Sequence, residues 1–326
     1  MPQPVANPIA TTPEDVHFLL IPGFSVMGLV SAVEPLRVAN RFRAGLYRWH
    51  LLSADGGEVA SSNGMALQPE APAETVERAT RLFVVGGFDT MAHYTPALRD
   101  WLRRLDRAGT VLGAIDTGLF LLAEAGLMPR QDMTLHWEAS AAFCERHPCL
   151  AAFVTQELFE IEGDRMTCAG GTACIDMMLA LMARKHGHAL AAEVSEQLVL
   201  GRIRDPSDHQ RLEVAAHYGV HSRKTVQVIG EMQRHMEEPL STAALADRIQ
   251  VSRRQLERLF ATHLHDTPTR FYLGLRLDRA RQLLRQTDMR VIEVGVACGF
   301  DSPSYFSRAY RGRFASAPGQ DRRDGQ

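Results

Sequence analysis

From Val16 to about Gly187, short apolar runs alternate with stretches of helical period. VHFLLIP (16–22), RWHLLSA (48–54), RLFVVGG (81–87) and TVLGAID (110–116) are β-rich and bounded by Gly or Asp, as strands buried on both faces should be. Between them, GLVSAVEPLRVANRF and PALRDWLRRLDRA read as amphipathic helices, the second with Leu98, Trp101, Leu102 and Leu105 on one stripe. The alternation predicts a parallel sheet covered by helices. Ligands of such sheets sit at the carboxyl ends of the strands, here near Gly23, Gly86–Gly87 and Asp116. Two helical runs, TACIDMMLALMARKHG and ALAAEVSEQLVLGRI, close this unit, and DPSDHQR (205–211) breaks the pattern.

Beyond the break every run is helical. Two segments, 240–260 and 288–314, share one layout: a short helix, a tight turn, a serine cap and a longer basic helix. Ser252 with Gln255 reads as a capping box, and Ser302 with Pro303 as a cap followed by proline in the first turn. FYLGLRLDRARQLLRQT lies between them as a spacer helix with Leu273, Leu277, Ala280 and Leu284 at core spacing. A helix-turn-helix braces its second helix so that exposed side chains enter the major groove. The exposed positions are Arg253, Arg254, Glu257 and Arg258 in one copy and Ser304, Tyr305, Arg308 and Arg311 in the other. Leu256, Leu259 and Phe260, like Phe306, Ala309 and Tyr310, face the core. A plain helical bundle with a solvated arginine face is the alternative.

Composition sharpens this division. A chain of 326 residues exceeds the size of most single cores, and 45% hydrophobic with 23% charged residues is typical of folded soluble proteins. The net charge of −2 hides a split, since residues 222–326 carry +6 and the remainder −8. A basic half beside an acidic half suggests a nucleic-acid reader joined to something else. Five cysteines without a secretory leader read as reduced cytoplasmic thiols, and Asp116 and Glu124 interrupt the longest apolar stretch, so no membrane span is expected. The expected organisation is a disordered 1–14, a sensing domain at 15–204, a linker at 205–222 and a DNA-binding domain at 223–326.

The run VIEVGVACGFDSPSYFSRAYRGRFASAPGQDR, with Ala297, Gly299, Phe300, Tyr305, Phe306, Arg308, Phe314 and Pro318, resembles the C-terminal signature of the AraC/XylS regulators. The resemblance covers residues 240–322 and departs at Ala315, where that family usually has glycine. It implies that Ser252, Arg253, Arg254, Arg258, Ser302, Ser304, Tyr305, Arg308 and Arg311 form the DNA-binding set.

GAIDTGLFLLAEAGLM (113–128) has the strand-turn-helix layout of a nucleophile elbow, with Asp116 at the turn. Residues 16–187 resemble the DJ/PfpI, or class I glutamine amidotransferase-like, superfamily, whose catalytic members carry cysteine at the elbow. The resemblance assigns Glu34 as the acidic residue beside the elbow, Gly86–Gly87 as an anion-binding turn, and His136 as the histidine after the elbow helix. Asp116 has three readings: a nucleophile with His136 as base, a simple helix cap, or a ligand anchor in a site that has lost catalysis. Together the two halves, with SAVEPLRVAN, LHWE (135–138) and CAGGTACIDMMLALMARKHG, resemble the GlxA-type regulators.

That resemblance implies an α/β flavodoxin-like parallel-sheet domain followed by an all-α double helix-turn-helix domain. It implies a non-enzymatic, cytoplasmic activator, dimeric, with promoter DNA, RNA polymerase and a small effector as partners and no cofactor. The implied effector is a small amine or amino-acid-like metabolite such as glycine betaine, carnitine or arginine. Glu34 and Asp116 would hold its cation, with Trp137, Phe24, Phe88 and Phe120 as aromatic faces. Backbone amides of Gly86, Gly87 and Gly118, beside Thr117, would take its carboxylate. Cys144, His147 and Cys149 lack a fourth ligand, so no metal is expected. The alternatives are a hydrolase built on Asp116 and a DNA-binding protein without small-molecule input.

Overall fold

The computed structural model describes residues 12–208, 210, 218–220, 222–287 and 289–324. The chain separates into two compact units, with the division between residues 210 and 211. Of the tail expected at 1–14, residues 1–11 lie outside the described residues, and Glu14 is a buried residue that opens the first strand.

In the first unit the strands are β1 (Glu14–Leu20), β2 (Tyr47–Ser53), β3 (Val59–Ala60), β4 (Ala66–Leu67), β5 (Ala71–Pro72), β6 (Arg81–Val85), β7 (Val111–Ile115), β8 (Phe159–Glu162) and β9 (Arg165–Cys168). Seven of them form one sheet in the order β5-β2-β1-β6-β7-β9-β8. All pairs in it are parallel except β8 with β9, while β3 and β4 make a separate antiparallel ribbon. The strands are joined by α1 (Val26–Phe42), α2 (Pro96–Arg107), α3 (Gly118–Glu124), α4 (Ser140–Arg146), α5 (Ala173–His186) and α6 (His188–Gln197).

Alternate strand residues serve opposite faces, as a two-residue side-chain period requires. Phe18, Leu20, Phe83, Val85 and Ile115 join one core with α1, α5 and α6. Leu19, Leu82, Val84, Leu112 and Ala114 join another with α2, α3 and α4. Helix α2 shows why the local sequence folds this way. Thr95 caps it by accepting from the Leu98 amide at 3.1 Å, Pro96 occupies its first turn, and the stripe Leu98, Trp101, Leu102 and Leu105 is buried. No helix among the described residues is long and apolar enough to cross a membrane.

The stretch expected to be linker from residue 205 is tied to the first unit as far as Gln210. Arg204 pairs with Asp176 at 2.6 Å, the Leu158 amide donates to the Pro206 carbonyl at 2.9 Å, and Gln210 bonds the loop at 134–137. Positions 209, 211–217 and 221 of that stretch lie outside the described residues.

The second unit is helical: α7 (Arg223–Arg234), α8 (Thr242–Arg248), α9 (Arg253–Leu264), α10 (Pro268–Gln286), α11 (Val291–Ala297), α12 (Pro303–Phe314) and α13 (Pro318–Asp324). The helix pairs α8–α9 and α11–α12 are copies of one design. Ser252 and Ser302 cap the second helices, Leu256 and Phe306 are buried one turn in, and His265 and Ala315 end them in left-handed backbone. Spacer helix α10 buries Tyr272, Leu277, Ala280, Leu283 and Leu284. Leu273, expected in that core, is only half-buried. Buried Asp321 joins three helices, accepting from Arg281 and Arg285 of α10 and from the Tyr310 hydroxyl of α12.

Candidate functional site

Strand β7 delivers Asp116 to the carboxyl edge of the sheet, where the backbone turns sharply into α3. Asp116 has φ 60°, and its N–H donates to the Cys168 carbonyl at 2.9 Å. A left-handed backbone costs an L-residue roughly 1–2 kcal/mol, so the packing must hold it there. Gly118 permits the turn, because a Cβ there would lie 2.1 Å from the Val84 carbonyl oxygen. Gly170, itself at φ 89°, lies against the carboxylate, with the position of a Cβ 2.8 Å from Asp116 Oδ2. Thr117 locks the turn from the other side: its hydroxyl bonds the Gly87 carbonyl at 2.7 Å and the Thr90 hydroxyl at 2.6 Å.

The electrostatics of Asp116 differ from those of a solvated carboxylate. Burial pushes its pKa up from 3.8 to about 7; a hydrogen bond from the Thr117 N–H opposes this, and the charge of Glu138 adds to it. Among the described residues neither Asp116 nor Glu138 is in an ion pair. Glu138 was not assigned a role from sequence, although it closes the LHWE run, because the turn that brings it toward the elbow is not visible in a linear pattern.

Glu34 pairs within its own helix rather than standing free for a ligand. Arg37, one helical turn away, takes both its oxygens at 2.7 and 2.9 Å and holds its carboxyl below the ordinary range. Gly28 of α1 packs at the end of β7, where a Cβ would approach the Ile115 side chain to 3.0 Å. The amides of Gly86 and Gly87 are already used, donating to the Ile115 carbonyl at 3.1 Å and the Thr90 hydroxyl at 3.2 Å. They are therefore not the open anion nest expected. Phe24 and Phe120 belong to the core, which removes them as faces for a ligand. Phe88 is exposed by 63% and Trp137 is half-buried, so these two remain.

His136 and Trp137 lie just before α4, their rings 5.5 Å apart. His136 Nδ1 accepts the Glu138 amide at 3.4 Å, and burial lowers its pKa although Glu138 pulls the other way. No hydrogen bond joins His136 to Asp116 among the described residues, which leaves the nucleophile reading without its base. The simple cap reading also fits poorly: the cap position of α3 is Thr117, whose side chain makes no cap bond.

In the second unit Arg253, Arg254 and Arg258 stand exposed on α9, as do Ser304, Tyr305, Arg308 and Arg311 on α12. Arg253 reaches Glu257 at 3.3 Å, and Arg308 lies 5.8 Å from the Tyr305 ring. Ser252 and Ser302 accept the amides of Gln255 and Tyr305 at 3.2 and 3.3 Å, so each also fixes the start of its helix. The opposite faces bury Leu256 and Phe260, and Phe306 and Tyr310; Leu259 and Ala309 are only half-buried. Both second helices thus present arginine to solvent and aromatic or aliphatic bulk to the core.

A parallel-sheet domain with a non-thiol elbow, followed by two helix-turn-helix motifs, defines a one-component transcriptional regulator. Residues 14–184 match the DJ-1/PfpI family and residues 245–324 a helix-turn-helix domain. The chain belongs to the AraC-type transcriptional regulators that carry a DJ-1/PfpI domain, the GlxA type, and is a regulator and not an enzyme. It is similar to the HTH-type transcriptional regulator CdhR of Pseudomonas aeruginosa, 65% identical over 309 residues, 95% of this chain and 91% of the relative. GbdR of the same species is 43% identical, over 99% of this chain and 88% of its own. GlxA of Rhizobium meliloti is 36% identical, over 94% and 95%. Among solved structures, an AraC family transcriptional regulator from Pseudomonas putida is 30% identical with a TM-score of 0.52, over 57% of this chain and 100% of that one.

Proposed function

We propose that this regulator senses a small cationic metabolite at Asp116 and, as a homodimer on promoter DNA, passes that signal to RNA polymerase. The carrying observation is the elbow carboxylate, held in left-handed backbone, opposed in its ionisation by burial and by Glu138, and unpaired with any cation among the described residues. A bound cation relieves both penalties at once. Phe88 and Trp137 supply aromatic surface suited to a quaternary ammonium or guanidinium group. Glycine betaine, carnitine and arginine have such a head group.

Isothermal titration of the full chain tests this directly. Glycine betaine, L-carnitine and L-arginine form one panel, with neutral isosteres and purely anionic compounds as the other. A cationic compound should bind, and Asp116→Ala should remove roughly 2–5 kcal/mol of its binding energy. Tight binding of a purely anionic compound, unaffected by that substitution, contradicts the assignment.

A further inference from the structure

We infer that residues 204–208, with Gln210, form a strap that reads the state of the Asp116 site, with Gln210 as the positioning residue that couples that site to the DNA-binding unit. The inference rests on Asp116 marking the effector site. Its basis is a set of hydrogen bonds that hold the strap against both flanks of that site.

On one flank, β9 ends at Cys168, whose carbonyl accepts from the Asp116 amide, and the turn after it carries Gly170, which lies against the carboxylate. Arg204 grips the residues just beyond. Its amide and guanidinium bond buried Asp176 at 2.8, 2.9 and 2.6 Å, and its Nη2 donates to Thr172 Oγ1 at 3.0 Å. On the other flank, the turn carrying His136, Trp137 and Glu138 is held by Gln210. The Gln210 Nε2 lies 2.8 Å from Thr134 Oγ1, 3.0 Å from the Leu135 carbonyl and 2.9 Å from the Glu157 carbonyl. Its Oε1 accepts the Trp137 amide at 2.7 Å. Between the two hooks the Pro206 carbonyl accepts the Leu158 amide at 2.9 Å.

One glutamine whose two N–H donors are shared among three acceptors while its oxygen takes a fourth group is a sensitive joint, because these bonds need the 134–137 segment and the strap in one relative position. A ligand that draws Trp137 or Glu138 toward Asp116 must shift the partners of Gln210. Gln210 is also the last residue of the first unit, so a change in its hold acts where the chain leaves for the helix-turn-helix motifs. A surface residue with an ordinary solvated amide would have no such effect.

The test uses the full chain and a duplex that it selects from a random pool. Duplex affinity is measured by fluorescence anisotropy with and without saturating glycine betaine, L-carnitine or L-arginine, beside calorimetric affinity for the same compound. The parent should show a shift of about fivefold or more, and Gln210→Ala less than about twofold, with affinity for the compound kept within about threefold. Gln210→Glu is the second variant. It keeps the side-chain length and the acceptor for Trp137 but loses the two N–H donors, and it should uncouple in the same way. A full shift in both variants overturns the inference. Should the parent bind none of the three compounds, the effector assignment fails, and the strap is read from the DNA side, since linkage is reciprocal. Hydrogen exchange at the Trp137 amide should then change on adding duplex in the parent and not in Gln210→Ala. No change in the parent overturns the strap.

Discussion

Asp116 concentrates the chemistry of the first unit in one carboxyl group. Its folded-state pKa is raised from 3.8 to about 7, so the folded chain favours the protonated form. The associated stability is fully present below the unfolded value and is lost as pH rises through about 7. Asp116→Asn does not titrate. Its gain in stability over the parent should therefore grow from about pH 4 to about pH 7 and level off above, reaching about 1–2 kcal/mol after discounting for partial exposure. Thermal unfolding across that range checks it, and a difference independent of pH contradicts the burial argument. Cation binding has the opposite sense: a cationic effector should bind more tightly as Asp116 ionises. Ala315 is a second residue whose backbone decides its behaviour. It sits at φ 56° where the family usually has glycine, so Ala315→Gly should stabilise the second unit by about 0.5–1 kcal/mol despite the entropy glycine adds to the unfolded chain. Denaturant melts of both forms measure it, and destabilisation would show that the left-handed turn carries no strain.

At the scale of elements, the two helix-turn-helix copies work because each second helix separates an arginine face from a packed one. Replacing Arg254 or Arg308 by alanine should cost roughly 1–3 kcal/mol in binding a selected duplex and relax discrimination at a few base pairs. Gel-shift titrations of both variants that match the parent would remove these helices from the groove. Asp321 is the structural counterpart. Burial pushes its pKa up, but bonds from Arg285, Tyr310 and Arg281 outweigh this and hold it below the ordinary range. Its contribution is therefore present at neutral pH and lost as acid protonates it. Asp321→Asn should destabilise the second unit by about 2–3 kcal/mol at neutral pH, with less effect in acid.

The same elements show what a linear pattern can carry. The cores of β1, β2, β6 and β7, the stripe of α2 and the capping box at Ser252 were all legible, since each is a local period or a cap with fixed spacing. The hairpin of β8 and β9 was not, because FEIE and RMTC are four residues each and mix charge with apolar side chains. Glu34, expected beside the elbow, pairs with Arg37, a local helical contact that the resemblance did not announce. Glu138 and Gln210 gain their meaning from contacts across turns, which no spacing in the sequence announces.

For the whole molecule, the two units divide the labour that the charge split foreshadows, an acidic sheet domain with an acidic site and a basic helical domain with exposed arginines. Phosphate contacts by the second unit release counterions, so duplex affinity should fall steeply with salt. As proposed, the Asp116 carboxylate turns the presence of a cationic metabolite into a change in DNA affinity. The most direct measurement of this is the affinity of the full chain for a selected duplex, with and without that metabolite, in the parent and in Asp116→Ala. The parent should respond by about fivefold or more, while Asp116→Ala should bind the bare duplex as the parent does and not respond at all. A response in Asp116→Ala equal to that of the parent would rule out Asp116 as the sensing group.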